Sequence, residues 1–281
     1  MFELIFVFGL LAFFSLLAIS VFKGLQPSSL AAAEEGEAQE PSVAGHIAEI
    51  RSAAEQGNAD AQYKLGFLYA DGQGVPQDYV EARKWLLKAA EQGHGEAQLT
   101  LGTLYFRGHG VAQDYVEARK WHHRAAEQGH AKAQLTLGVL YDQGRGVVQD
   151  YVSARKWFLK AAEQGHAEAQ SSLGLLYYLG HGVTQDYVEA RKWLLKAVEQ
   201  GHTQAQIGLG LICLGGQGVA QDYVEAYARF NLAVTQGEEN AKTLRDEVAA
   251  KLSVTSLAEA QKLSRKYFKL YVEPFQMLQS E

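Results

Sequence analysis

Histidine is the first side chain here that suggests chemistry, because nine imidazoles could hold a metal or carry protons near neutral pH. Four of them, His94, His130, His166 and His202, stand 36 residues apart, each directly after a glycine. That repetition assigns them to a recurring turn and to helix capping, not to one coordination sphere. His109 and His181 fall inside Gly-x-Gly loops whose middle slot also takes Gln73, Arg145 and Gln217, so the slot demands no particular group. His122 and His123 are neighbours and point about 100° apart on a helix, a poor start for shared coordination. No metal ligand is assigned. The Gly-x-Gly loops lack the preceding strand and the third glycine of a dinucleotide fingerprint and read as chain turns. Cys213 is the only cysteine, which rules out an intramolecular disulfide. It takes a slot held by Tyr69, Tyr105, Tyr141 and Tyr177 in the other copies, and so reads as a buried small hydrophobe. No serine–histidine–acid or cysteine–histidine set stands out, so no catalytic and no cofactor-binding residue is assigned.

The elements that carry these residues repeat. Ala-Glu-Gln-Gly ends at Gly57, Gly93, Gly129 and Gly165, and returns as Val-Glu-Gln-Gly at Gly201 and Thr-Gln-Gly at Gly237. A 36-residue period without insertion or deletion is the signature of a stacked solenoid, whose units bury their apolar faces only against neighbours. A length of 281 residues could fill one or two domains, and the repeat makes it one extended domain. Apolar content of 47% and charged content of 21% are those of a folded chain. With a net charge of −6 and basic residues at fixed repeat positions, nothing points to nucleic acid.

Within residues 58–93, Ala61, Leu65, Leu68 and Tyr69 lie at helical spacing and predict one amphipathic helix. Gly72-Gln-Gly74-Val75-Pro76 breaks it. Asp78 starts a second helix as its N-cap, with Glu81 completing a capping box, and the pair returns as Asp114/Glu117, Asp186/Glu189 and Asp222/Glu225. Only the third repeat departs, with Ser153 opposite Asp150. Ala82, Trp85, Ala89 and Ala90 form the buried stripe, Lys88 suits the C-terminal end of the dipole, and Gly93 supplies a left-handed stop. Gly66 costs helix stability, yet it recurs at Gly102, Gly138, Gly174 and Gly210. A bulky group must therefore pack on that backbone, and the tryptophan of the same unit (Trp85, Trp121, Trp157, Trp193) is the expected one. Ser256 with Glu259 is expected to cap a last helix ending near Tyr271.

The Ala-Gln-x-x-Leu-Gly-x-Leu-Tyr first helix, the Gly-x-Gly-Val loop and the Asp-Tyr-x-x-Ala-x-x-Trp-x-x-x-Ala-Ala second helix resemble the Sel-one-like repeat family, a relative of the tetratricopeptide repeats. The resemblance covers residues 58–237. It implies an all-α fold, an α-solenoid of antiparallel helix pairs in a right-handed superhelix. It also implies adaptor or scaffold roles in multiprotein, often membrane-linked, complexes, without naming a substrate.

Ahead of the repeats, Leu4 to Phe22 is an apolar run of 19 residues, long enough as a helix to cover nearly the whole hydrocarbon core of a bilayer. Two readings stand: an uncleaved single-span anchor, or a signal peptide cleaved at Ala18-Ile-Ser20 or Ala31-Ala-Ala33. Both lead to a membrane. The anchor is preferred because the n-region holds Glu3 and no basic residue. Lys23 argues for a cytoplasmic C-terminal side, but apolar N-terminal segments usually export, so the repeats are placed extracytoplasmically. The expected organisation is an anchor or signal over 1–23, a flexible acidic linker over 24–43, and a capping helix over 44–57. Five repeats follow at 58–93, 94–129, 130–165, 166–201 and 202–237, then capping helices over 238–271 and a tail over 272–281.

Differences among the five copies separate frame from surface. In the first helix, repeat positions 3, 7, 10 and 14 vary freely, and their spacing puts them on one face. The stripe comprises Asp60, Lys64, Phe67 and Asp71; Glu96, Thr100, Thr103 and Arg107; Lys132, Thr136, Val139 and Gln143; and Glu168, Ser172, Leu175 and Leu179. In solenoids of this type the first helices line the concave side. The stripe is therefore the expected binding face for an extended peptide or another helix, or else merely exposed and unconstrained. The expected function is a membrane-tethered adaptor with a protein partner, no nucleic acid and no small-molecule cofactor. The alternatives are a signal-cleaved exported factor and, more remotely, an envelope hydrolase.

Overall fold

A computed structural model of the chain describes residues 43–277. The segments assigned to the anchor and the acidic linker lie outside the described residues, apart from Val43, as does the end of the tail. The described residues form an all-helical repeat solenoid without a strand. They fall into two compact units that meet in sequence at Gln149 and Asp150.

The first unit holds α1 (Val43–Glu55), α2 (Ala59–Asp71), α3 (Tyr79–Glu91), α4 (Gly95–Arg107), α5 (Tyr115–Glu127) and α6 (Ala131–Gln143). The second holds α7 (Tyr151–Glu163), α8 (Ala167–Leu179), α9 (Tyr187–Val198), α10 (Thr203–Gly215) and α11 (Tyr223–Thr235). It ends with α12 (Asn240–Ala249), α13 (Val254–Tyr271) and α14 (Glu273–Met277). In each unit a helix packs on the next in the chain through α11, and α11 also receives α13.

The helix boundaries have local causes. Asp78 Oδ1 accepts the N–H groups of Val80 and Glu81 at 2.9 and 3.0 Å. Asp114 and Asp186 do the same at their helix starts. The expected capping box is only half made. Glu81 turns to Lys84 instead, and the Asp78 N–H donates to the Tyr69 carbonyl of the preceding helix at 2.9 Å. Asp114, Asp186 and Asp222 repeat that bond with Tyr105, Tyr177 and Cys213. In the third repeat the Ser153 hydroxyl donates to Asp150 Oδ2 at 2.6 Å. First helices stop at a left-handed glycine such as Gly72, and the loop residue Gln77 donates to the exposed Ala70 carbonyl at 2.9 Å.

Neighbouring helices are joined by buried glutamines. Gln62 Nε2 donates to the Ala54 carbonyl near the end of α1 at 3.0 Å, and Gln98 and Gln134 repeat this with Ala90 and Ala126. Gln62 Oε1 in turn accepts from Gln92 at 2.7 Å, as Gln98 does from Gln128. In the second unit Gln170 reaches Ala162 at 3.2 Å and accepts from Gln200 at 2.8 Å.

The residue packed on the helical glycine is not the tryptophan. A Cβ on Gly66 would lie 2.7 Å from Leu86 Cγ, and those on Gly174 and Gly210 would strike Leu194 and Phe230. The tryptophan is one position off that line, with Lys88 Nζ 4.1 Å above the Trp85 ring and Lys196 Nζ 4.2 Å above Trp193.

The C-terminal end is closed by a different contact. Arg229, nearly fully buried, donates to Glu225 Oε1 at 2.8 Å and to Gln206 Oε1 at 3.0 Å, with its guanidinium 3.9 Å from the Tyr267 ring centroid. The Tyr267 hydroxyl donates to both Glu225 oxygens, which ties α13 to α11. Burial, together with that bond, raises the pKa of the Tyr267 phenol. The N-cap of α13 is Ser253, whose hydroxyl accepts from the Ser256 N–H at 3.1 Å, rather than Ser256 itself.

Loop glycines divide into two kinds. Gly93 has φ +92° with nothing within 4 Å of an added Cβ, whereas a Cβ on Gly110, at φ +68°, would lie 2.4 Å from the carbonyl carbon of Tyr79. Gly93→Ala should therefore cost only backbone strain, about 1–2 kcal/mol. Gly110→Ala should cost that strain plus roughly 1–3 kcal/mol for displaced backbone. Urea unfolding of the two variants checks the order; equal losses would mean that the loops do not touch tightly.

Candidate protein-interaction surface

The stripe of variable side chains does not have one environment. In the first unit Asp60, Lys64, Asp71, Glu96, Arg107 and Lys132 are exposed, and Phe67, Thr100, Thr103 and Gln143 are half-buried. Thr136 and Val139 are buried. In the second unit Glu168, Ser172 and Leu175 are buried and Leu179 is half-buried. Five of the sixteen positions thus offer no open surface. In α6 every residue from Ala133 to Leu140 is buried, and in α8 every residue from Glu168 to Leu176. A helix packed all round cannot present the face that its periodicity marks as variable.

The hydroxyls of the stripe bond back to their own helices, which removes them from recognition. Thr100 donates to the Glu96 carbonyl at 2.8 Å, Thr103 to Leu99 at 2.9 Å, Thr136 to Lys132 and Ser172 to Glu168. Two carboxylates are also partly engaged. His94 Nε2 lies 3.2 Å from Asp60, and His130 Nδ1 lies 3.2 Å from Glu96. His94 Nδ1 accepts from the Ala97 N–H at 3.2 Å, which leaves the neutral ring's proton on Nε2, aimed at Asp60. All four histidines occupy N-cap positions, but only His94 makes the side-chain capping bond. In the second unit His202 is held down to about 4 by burial and, secondarily, by the charge of His166.

The middle slot of the Gly-x-Gly loop is less permissive than its sequence suggests. His109 lies 4.7 Å from Tyr79 and His181 4.3 Å from Tyr151, ring to ring, while the Arg145 guanidinium sits 5.4 Å over Tyr115. Each is a planar group laid on the tyrosine that opens the preceding second helix.

Two further columns border the stripe and escaped the sequence reading. Tyr63 stacks on His94 at 4.7 Å and meets Phe67 at 6.2 Å, making an aromatic patch between Asp60 and Lys64. Burial raises the Tyr63 hydroxyl. Asp142 takes the slot of Ala70, Phe106 and Tyr178; it is buried, its Oδ1 lacks a hydrogen-bond partner, and desolvation lifts its carboxyl to about 7. The signal was available: both slots vary among the repeats as freely as the stripe does.

As a whole, the first unit presents acids, bases and an aromatic patch on a rigid helical frame, which suits polar and apolar contacts to a polypeptide. Among the described residues no group of three histidine, cysteine or acidic side chains could hold a metal ion. The Cys213 thiol is buried and pushed up to about 11 by that burial.

Five tandem matches to the Sel1 repeat cover residues 59–94, 95–130, 131–166, 167–202 and 203–238. Among solved structures the chain is similar to a protective antigen present in uropathogenic Escherichia coli strains that displays an SLR fold. The identity is 36% and the TM-score 0.74, over 83% of this chain and 50% of that one, so this chain spans half of its length. It is also similar to a Sel1 repeat protein from Oxalobacter formigenes at 31% identity and a TM-score of 0.66, over 79% of this chain and 97% of that one. No curated protein matches the chain.

One histidine belongs to the frame instead of the surface. His122 occupies the slot of Leu86 and Leu194, is fully buried against Gly102, and has no hydrogen-bond partner on either nitrogen. Burial holds it down to about 3. Its folded value lies below the ordinary histidine value, so the unfolded chain binds the extra proton as pH falls, and stability drops between about pH 6 and pH 3. His122→Leu should raise stability at pH 7 by about 1–3 kcal/mol, the cost of two unpaired buried nitrogens, and by more at pH 5. Thermal melts at the two pH values test this; an unchanged or lowered melting temperature would mean that His122 has a partner in solution.

Proposed function

The chain belongs to the Sel1 repeat family, and from that premise we propose that it is a membrane-tethered scaffold that captures a segment of a partner protein. Sel1 repeat proteins typically mediate protein–protein interaction, and the family and its SLR-fold neighbours are typically non-catalytic scaffolds. The docking surface is the exposed part of the stripe, on the concave side of the stack. Asp60, Lys64, Phe67 and Asp71 begin it, and Glu96, Arg107 and Lys132 continue it.

The observation that carries this reading is the contrast within single helices of the first unit. Gln62, Leu65 and Gly66 are buried and repeat with little change, while Asp60, Lys64 and Asp71 on the same helix are open to solvent and change from copy to copy. A rigid frame that presents variable charge beside Tyr63 and Phe67 suits an extended segment carrying both charges and an apolar anchor. The tether is the apolar run from Leu4 to Phe22, with the repeats on the extracytoplasmic side and the acidic linker as spacer. No helix among the described residues is long and apolar enough to cross a membrane, so the tether rests on that run alone. Cleavage of the run is the second reading, supported by the small-x-small sites Ala18-Ile-Ser20 and Ala31-Ala-Ala33.

Crosslinked capture from membranes tests the scaffold, with the full chain run beside a variant carrying Phe67→Asp, Arg107→Glu and Leu179→Lys. A partner recovered by the unaltered chain should be lost by the variant, while helicity and melting temperature stay within error. Recovery by both would remove the stripe as the docking face. N-terminal sequencing of the membrane-bound protein decides the tether: Met1 retained fits an anchor, and a new N-terminus after residue 20 or 33 fits export.

A further inference from the structure

The solvent-facing side of α9 carries a groove that the stripe does not use. Val188, Leu195 and Val219 form its apolar floor, Arg191, Lys192 and Lys196 form a cationic rim, and Glu199 closes one end, around a volume of roughly 500 Å³. Val188 is 64% exposed, more than Val80, Val116 and Val152 in the same slot of the preceding repeats, at 45%, 44% and 53%.

The equivalent position is shut at other joints. Gly182 rests on Tyr151 so tightly that a Cβ would lie 2.4 Å from the tyrosine carbonyl carbon, and Gly110 rests on Tyr79 in the same way. At the last joint a Cβ on Gly218 would lie 3.5 Å from the Tyr187 carbonyl carbon and 2.9 Å from the Tyr187 Cβ. The loop stands further from the backbone there but still rests on the Tyr187 side chain. The arginine of this slot differs in exposure: Arg83, Arg119 and Arg155 are half-buried, and Arg191 is exposed. Arg155 Nε donates to the Gly182 carbonyl at 3.2 Å, which pins that side chain across its groove. Arg191, in the same slot of the next repeat, is exposed and has no hydrogen bond or ion pair among the described residues. Lys192 and Lys196 are held at the rim, the first 3.0 Å from Glu189 and the second 4.2 Å over the Trp193 ring.

We propose that this groove docks an acidic, amphipathic peptide segment of a partner protein. One or two aliphatic side chains enter over Val188, Leu195 and Val219, and flanking carboxylates meet Arg191 and Lys196. A free guanidinium is a two-pronged donor matched to a carboxylate, and the apolar floor supplies the contact that a purely ionic site lacks. The groove is shallow and takes only a few side chains, with apolar and cationic groups side by side as an amphipathic acidic peptide requires. It lies on a second helix, apart from the first-helix stripe, so it is a second contact and not an extension of the first.

Fluorescence anisotropy of the labelled peptide Glu-Leu-Asp-Glu-Leu-Glu, titrated with the detergent-solubilised full chain, tests the proposal. The expected result is saturable binding that Arg191→Glu/Lys196→Glu weakens at least tenfold and Val188→Asp also weakens. Arg83→Glu/Lys88→Glu, the same slots at a closed joint, and the stripe variant should leave it unchanged, with all four proteins giving the parental circular dichroism melt. The stripe variant keeps the two readings apart, because it removes the proposed scaffold contact and not this one. Absence of saturable binding, equal loss in the two charge-reversed pairs, or groove-dependent binding of phosphatidylglycerol vesicles in place of the peptide would overturn the proposal.

Discussion

The end of each helix must be held at a fixed place against the helix that follows it, and that joint is the constraint on which the rest of this structure depends. The solution is a buried glutamine near the start of each of the leading four first helices, Gln62, Gln98, Gln134 and Gln170. Its amide donates to the last turn of the preceding helix, and its carbonyl accepts from the glutamine that ends its own repeat. A side chain of fixed length performs both tasks, so the distance between successive helices cannot drift. The constancy of the 36-residue period follows, since an inserted residue would turn the glutamine away from its carbonyl. In the last repeat Arg229 takes over the donor role toward Gln206, and there the stack stops adding identical units and is sealed by Tyr267 and Glu225.

Close approach of the helices is the second consequence. Gly66, Gly102, Gly174 and Gly210 sacrifice helix propensity so that the side chain one place after the tryptophan, or after Arg229 in the last repeat, can lie directly on the backbone. Because the frame has so little slack there, a polar substitute is costly, as the unpartnered imidazole of His122 shows. The tryptophans, freed from that duty, sit beneath the lysines and arginines one turn on and cover the flank of the second helix.

What the frame leaves unconstrained is where recognition is available, and it is distributed unevenly. The first helices of the leading repeats expose charges beside an aromatic patch, while α6 buries Thr136 and Val139 and α8 buries Glu168, Ser172 and Leu175 at the equivalent positions. Between repeats, the histidines tie one first helix to the next through Asp60 and Glu96, so part of the candidate surface also bears on the joint. The outer groove at α9 lies where the Gly218 loop stands further from the preceding helix backbone than the loops of the three preceding repeats do. A repeat architecture makes such sites visible, because a local departure can be read against the other copies, here Gly110, Gly146 and Gly182.

By itself the sequence determined the period, the helical segments, their aspartate and glycine ends, and the burial of Cys213. Each of these is encoded within a few residues, by a cap, a positive φ or the spacing of apolar side chains. Tertiary structure alone decided that Leu86 rather than Trp85 lies on Gly66, and that Asp78 gives its N–H to Tyr69 rather than to Glu81. It also decided that Thr136, Val139, Glu168, Ser172 and Leu175 are closed, that planar side chains in the loops stack on tyrosines 30 residues back, and that Arg191 is free while Arg155 is pinned. The physical reason is common to all of these. The period of one helix says which side chains share a face, but what meets that face depends on the rotation and distance of a second helix, and no single helix encodes that.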